Sequence, residues 1–388
     1  MAATFESIIN KCKKDWNCDN LMDGVKAERG PKIPFSSPMM NYITYGGIPR
    51  RRVSHLYGRF GSGKTTTSID VCKNAYELFE KEFNEELIRL QELSVSNKSA
   101  GVDADELRDR GVKKILYIDL EHSFDGNWST TLGVDLNKIH IMQPPNVFAE
   151  DVLQTVLDLI ETGEVGLTVI DSVAALTTKK VLEKDIGEKT VADLAGVMTT
   201  FMSKVITLLD RYDCTLILIN QIRDNLINPY AVNTPGGQAI KFYSSLMLDF
   251  SIGDPVDFLG NELPQKSENP AGYKINVRIT KQKTAPFDRK NASYYLMAQS
   301  GIRKDMDLAQ TALTKYSIIK KSGAWFTFSD PFTGEIICDE STGKALRVQG
   351  MAKVYDYLGS HPDYYNLLEQ YITGDTNGVS FDVADSAD

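Results

Sequence analysis

Val53-Ser-His-Leu-Tyr57 runs directly into Gly58-Arg59-Phe60-Gly61-Ser62-Gly63-Lys64-Thr65, and from Thr65 to about Phe79 the spacing is helical. A short strand, a glycine loop of the form G-x-x-x-x-G-K-[ST] and a helix, in that order, read as a triphosphate-binding loop in its proper context. The glycines let the backbone wrap phosphates, with amide hydrogens and the helix N-terminus facing negative charge. Lys64 is expected to reach the β- and γ-phosphates of ATP, and the Thr65 hydroxyl to ligate Mg²⁺. A plain strand-to-helix turn is the alternative, but ordinary Gly and Lys frequencies give such a pattern in only ~1% of chains of this length.

Downstream, three apolar segments, Ile115-Leu-Tyr-Ile-Asp119, Leu167-Thr-Val-Ile-Asp171 and Thr215-Leu-Ile-Leu-Ile-Asn220, alternate with helical spacing near 148–161 and 190–211. Continuous apolar strands between helices predict an α/β core with a mostly parallel sheet covered on both faces. Ligands bind at strand C-terminal ends in such sheets. Asp171 is there to hold a Mg²⁺-bound water, and Glu121, just past Asp119, to polarise an attacking water. Either carboxylate could instead cap a helix or sit in a loop. Leu246–Ile252, Tyr273–Thr280 and Ala292–Met297 then read as strands without intervening helices and predict an antiparallel extension of the sheet. Residues 80–110 are charge-rich and predict an inserted helix and loop with a solvated face, docked through Phe83, Leu87 and Leu90. Three parts are expected: an N-terminal segment over 1–33, an ATPase core over 34–302 and a small C-terminal lobe over 303–388.

The 388 residues are 42% hydrophobic and 24% charged, with a net charge of −9. That balance is ordinary for a globular chain, and acidity overall does not exclude a local basic groove for nucleic acid. No apolar run approaches a membrane span, and the first residues lack a signal-peptide pattern. Five scattered cysteines, Cys12, Cys18, Cys72, Cys214 and Cys338, suit a reducing cytoplasm. Cys12 and Cys18 have no nearby Cys or His partners for zinc.

Several stretches resemble the RecA recombinase family. They are Gly58–Thr66, Ile118-Asp-Leu-Glu-His-Ser-Phe-Asp125, Val169-Ile-Asp-Ser-Val-Ala-Ala-Leu-Thr177, Ile219-Asn-Gln-Ile-Arg223, Thr234-Pro-Gly-Gly-Gln-Ala-Ile-Lys-Phe-Tyr243 and Thr280-Lys-Gln-Lys-Thr-Ala-Pro-Phe287. The resemblance covers about 34–302 in one order and thins beyond, although Gly323-Ala-Trp-Phe-Thr-Phe still looks like the family. It implies an ATP- and Mg²⁺-dependent recombinase that forms a helical filament on single-stranded DNA and exchanges strands with duplex DNA, helped by mediator or single-strand-binding proteins. By resemblance, Glu121 is the catalytic base and Gln221 senses the γ-phosphate. Thr66 completes the phosphate loop, and Asp125 and Trp128 contact adenine. Lys281 and Lys283 reach a neighbouring protomer's γ-phosphate, with Lys241 and Phe242 at that interface. Judged by position alone, Trp128 reads as core, Gln221 as a strand-end polar residue and the lysine pair as a solvated edge.

The family's two DNA loops fall at about 184–192 and 223–237. Lys204 and Arg223 are candidate phosphate contacts, as are the amides of Gly236 and Gly237. Leu226 is a candidate wedge between bases, with Tyr230 as a second apolar contact. The family's basic residues are replaced by Val197 and, near the second loop, Asn225, so the DNA path is less basic; Lys241 is one compensating source. These departures suit a specialised or virus-borne member. In the C-terminal lobe Lys315, Lys320, Lys321 and Lys344 are either a duplex-capturing patch or solvated lysines. A ring-forming RecA-core motor and a non-catalytic filament protein are the rival readings.

Overall fold

A computed structural model describes residues 4–15, 30–94, 98–145, 147–182, 191–222, 234–339 and 342–376. The chain divides into two units, Met1–Pro31 and Lys32–Asp388. Among the described residues the first holds one helix, α1 (Phe5–Asp15).

The second unit opens with β1 (Lys32–Ile33), α2 (Pro38–Thr44), β2 (Ile48–Pro49) and β3 (Val53–Gly58), followed by the long helix α3 (Lys64–Ser94) and α4 (Lys98–Arg110). Alternation follows: β4 (Lys114–Asp119), α5 (Gly126–Thr131), β5 (Ile139–Met142), α6 (Ala149–Glu161), β6 (Val165–Asp171), α7 (Lys179–Leu182), α8 (Val191–Arg211) and β7 (Thr215–Gln221). Next come α9 (Gln238–Tyr243), β8 (Leu246–Val256), β9 (Gly272–Gln282), β10 (Asn291–Met297) and β11 (Gly301–Ile302). The chain finishes with α10 (Lys304–Thr314), β12 (Ile319–Ser322), β13 (Trp325–Phe328), β14 (Arg347–Gln349), α11 (Met351–Ser360) and α12 (Pro362–Thr376).

The central sheet has nine strands in the order β11-β10-β9-β8-β3-β7-β6-β4-β5. Side chains alternate across it as the pleat requires. Leu56, Ile115, Tyr117, Leu167, Val169, Ile217 and Ile219 enter one apolar layer, and Val53, Leu116, Ile118, Ile170, Leu216 and Leu218 the other. This two-sided burial is why the strands read as unbroken apolar runs. A third cluster, including Met306, Phe326, Phe328, Leu358 and Leu368, forms the core behind the antiparallel sheet β12-β13-β14.

β8, β9 and β10 form the expected antiparallel extension, and β8 joins it to the parallel part by pairing parallel with β3. The short helix α9 returns the chain to the starting edge, which its six residues disguised in the sequence. The helix expected to end near Phe79 is longer: α3 continues to Ser94, and α4 packs back along it through the buried Ala104. Phe83, Leu87 and Leu90 are half-buried on that continuation. Arg50 ties the middle of the helix to the sheet, pairing with Glu82 at 2.5 Å and Asp213 at 2.8 Å and lying over the Phe79 ring.

Candidate nucleotide-binding site

The parallel register brings the C-terminal ends of β3, β7, β6 and β4 side by side, with Gly58 opposite Gln221 and Asp119 opposite Asp171. The glycine loop turns there between β3 and α3. Gly61 and Gly63 adopt φ of 72° and 84°, a region that disfavours side chains. Gly58 is needed for space, because a Cβ would stand 2.2 Å from the Phe250 carbonyl oxygen. Arg59 and Phe60 are exposed, and Ser62 folds inward to donate to the Arg59 carbonyl at 2.7 Å. The buried Lys64 ammonium donates to the same carbonyl at 2.7 Å. Burial lowers the Lys64 pKa, and the charges of Asp171 and Glu121 work against that shift.

Thr65 donates to Asp171 Oδ2 at 2.7 Å. Burial raises the Asp171 carboxyl, while hydrogen bonds from Thr65 and Tyr117 hold it down. A hydroxyl and a carboxylate at this spacing are hard oxygen donors. They fit Mg²⁺, which keeps waters and takes remaining ligands from substrate phosphates. Among the described residues no cluster of three or more His, Cys, Asp or Glu could hold a metal.

Across from Asp171, Glu121 Oε1 accepts from the Ser172 hydroxyl and from Gln221 Nε2 at 2.9 Å. Thus Glu121, Gln221, Asp171, Thr65 and Lys64 converge from α3, β6, β7 and the segment after β4. Asp119 stands beside them, accepting from Phe124 N and Gln143 Nε2. Asp125 caps α5, accepting from the amides of Asn127 and Trp128, and Trp128 Nε1 donates to Thr66 at 3.3 Å. The indole therefore lies beside the loop, half-buried. Tyr117, Ser172 and Gln143 were not singled out from sequence. Ser172 was legible in principle, as the residue following Asp171, whereas Tyr117 and Gln143 act through the strand order.

Lys281 and Lys283 stand apart from this cluster. Lys281 Nζ donates to the Lys241 and Phe242 carbonyls at 2.5 and 2.8 Å, and Lys283 reaches the Phe242 carbonyl at 3.4 Å. Both cations thus sit at the C-terminal end of α9, a position that favours positive charge. Burial and its neighbour's charge lower the Lys281 pKa. Phe242 is 72% exposed beside them. Lys281 and Phe242 border a cavity of about 510 Å³ with His55 and Tyr57; burial pushes the His55 imidazole down to about 3.

Arg223, Leu226 and Tyr230 lie outside the described residues, as do 184–190 of the first loop. Gly236 and Gly237 border the second loop with φ of 87° and 78°, and a Cβ on either would strike Ile240 or Ala195 within 2.7 Å. Gly236 is crowded by Ile240 of α9, and Gly237 by Ala195 of α8. Lys204 is exposed farther along α8, in a cleft with Glu150 and Val197, and is not gathered with the glycine pair.

A RecA N-terminal domain model matches residues 99–303. The RecA protein of Aquifex aeolicus is 31% identical over 346 residues, covering 88% of this chain and 82% of that protein. That of Chlorobium limicola is 32% identical over 331 residues, covering 84% and 81%. That of Streptococcus sanguinis is 28% identical over 374 residues, covering 95% and 83%. Among the described residues no helix is long and apolar enough to cross a membrane. With a triphosphate-binding loop at the head of a mostly parallel sheet, and this likeness along nearly the whole length, the chain belongs to the RecA family of recombinases.

Proposed function

We propose that this chain is a DNA-dependent ATPase that polymerises on single-stranded DNA and exchanges it for the matching strand of a duplex. The observation that carries the reading is Glu121 Oε1 held by Gln221 Nε2 at 2.9 Å, beside the Thr65–Asp171 pair. A general base joined to the end of β7, where the second DNA loop begins, gives nucleic acid a short path to the chemistry. The loop amides and Lys64 bind the triphosphate, Asp125 and Trp128 bind the base, and Thr65 and Asp171 hold Mg²⁺. The cation, when bound, neutralises phosphate charge. Glu121 takes a proton from the attacking water once Gln221, able both to donate and to accept, turns to the γ-phosphate.

Lys281 and Lys283 complete the site of the next protomer, where two cations stabilise charge spreading over the transferred group. Lys241 and Phe242 form part of that contact. Arg223, Leu226, Tyr230, Lys204 and the Gly236 and Gly237 amides contact DNA. In this reading 1–33 joins protomers, 34–302 is the motor and 303–388 receives duplex, with mediator and single-strand-binding proteins loading the filament in a cytoplasmic compartment. Strand-exchange assays and electron microscopy with an ATP analogue test it. Helical filaments and exchange that Lys64→Ala abolishes are expected. Closed rings, or equal exchange by Lys64→Ala, would overturn it.

A further inference from the structure

Asp171 is steadied by two hydroxyls, and the phosphate-loop motif supplies only one of them. The other belongs to Tyr117, on the neighbouring strand β4 and two residues before Asp119. Its hydroxyl donates to Asp171 Oδ2 at 2.8 Å, the same oxygen that Thr65 reaches at 2.7 Å. The side chain is 1% exposed, its ring edge rests on Phe124 with centroids 5.3 Å apart, and Ser68 on α3 stands 3.2 Å from the phenolic oxygen. Phenylalanine would fill the same space without the cost of burying a hydroxyl. The oxygen's contacts are therefore the feature that distinguishes tyrosine here.

We propose that Tyr117 is a positioning residue for the metal-holding carboxylate: its hydroxyl, acting from β4, fixes the plane of Asp171 that Thr65 alone, acting from α3, would leave free to turn. Both donors land on Oδ2, and the described residues place no hydrogen-bond donor on Oδ1, the oxygen that would then face the cation's side of the site. Partners of this kind, one bond removed from the metal, orient the groups around it, and their loss commonly weakens metal affinity by about 10- to 100-fold. The inference rests on the nucleotide reading above, in which Thr65 and Asp171 face Mg²⁺.

The test measures the affinity of the full chain for a fluorescent ATP analogue with and without Mg²⁺. The ratio of the two affinities is the gain due to the cation. Tyr117→Phe should leave metal-free affinity within twofold of wild type and cut the gain by about tenfold. Ser68→Ala, which removes the other contact of the phenol and spares Asp171, should keep the gain. A full gain in Tyr117→Phe, a parallel loss of metal-free binding, or the same loss in Ser68→Ala would each overturn the proposal. If wild type itself binds no nucleotide, or binds it indifferently to Mg²⁺, the triphosphatase reading fails first and takes this inference with it. Thermal melts monitor folding; should Tyr117→Phe unfold in the assay, replacement of Tyr117 by 4-fluorophenylalanine makes the same comparison.

Discussion

Lys64, Thr65, Asp171 and Glu121 were legible because each sits at a point the sequence marks: a glycine loop or the polar end of an apolar strand. Their convergence needs only that the strands be parallel neighbours. The hydroxyls of Tyr117 and Ser172 were illegible for the opposite reason, since a hydroxyl's partner depends on which strand lies beside it and in what register. The lysine pair shows a different limit. Spacing placed both ammonium groups together, but not on the carbonyls that end α9. At this scale Glu121→Gln is the sharp test. It keeps the shape and the Ser172 contact but cannot accept a proton, so it should bind nucleotide and DNA normally while turnover falls about 10²–10⁴-fold. Equilibrium nucleotide binding alongside phosphate release checks this, and lost binding would remove Glu121 from the role of base.

Element lengths were read less well than element types. The charged continuation of α3 lost its apolar stripe where it left the core, so periodicity faded although the helix did not. β8 does open an antiparallel meander, but its parallel pairing with β3 was hidden because only the six residues of α9 reverse the chain before it. Gly236 precedes the residue that caps that helix, and Gly236→Ala forces a Cβ to within 2.6 Å of Ile240 at a φ of 87°. Denaturant unfolding should show a loss of about 2 kcal/mol or more. A second joint lies between α2 and α10, where Asp307 accepts from the Ser37 hydroxyl and from Met39 N at 3.1 Å. Complete burial raises its carboxyl from 3.8 to about 7. Between those values the folded chain keeps a proton that the unfolded chain releases, so this group makes stability fall as pH rises toward neutrality, then level off. Asp307→Asn does not titrate, so its melting temperature should improve relative to wild type from pH 5 to 7 and hold a constant offset above pH 8. Parallel curves throughout would contradict the buried, proton-holding carboxyl.

For the whole molecule, the α/β architecture followed from the alternation of apolar strands and helices, while the face a second copy would meet followed only from family resemblance. If sites are shared between copies, a mixture of two inactive variants must regain activity. Lys281→Ala lacks the donated cation and Glu121→Gln lacks the base, yet random assembly pairs an intact Lys281 with an intact Glu121 at about a quarter of head-to-tail contacts. DNA-dependent ATP turnover of an equal mixture should approach that fraction of wild type. No recovery would mean that each copy works alone. DNA binding should also weaken steeply with salt, since phosphate contacts release counterions. Finally, α3 begins at the phosphate loop and continues unbroken for 31 residues, a rod of about 46 Å at the usual rise per residue. Such a rod is a lever: a tilt of about 5° at its root swings its far end by about 4 Å, so a spin label at Leu93 would read out, at a distance, movements too small to see where the fuel is held.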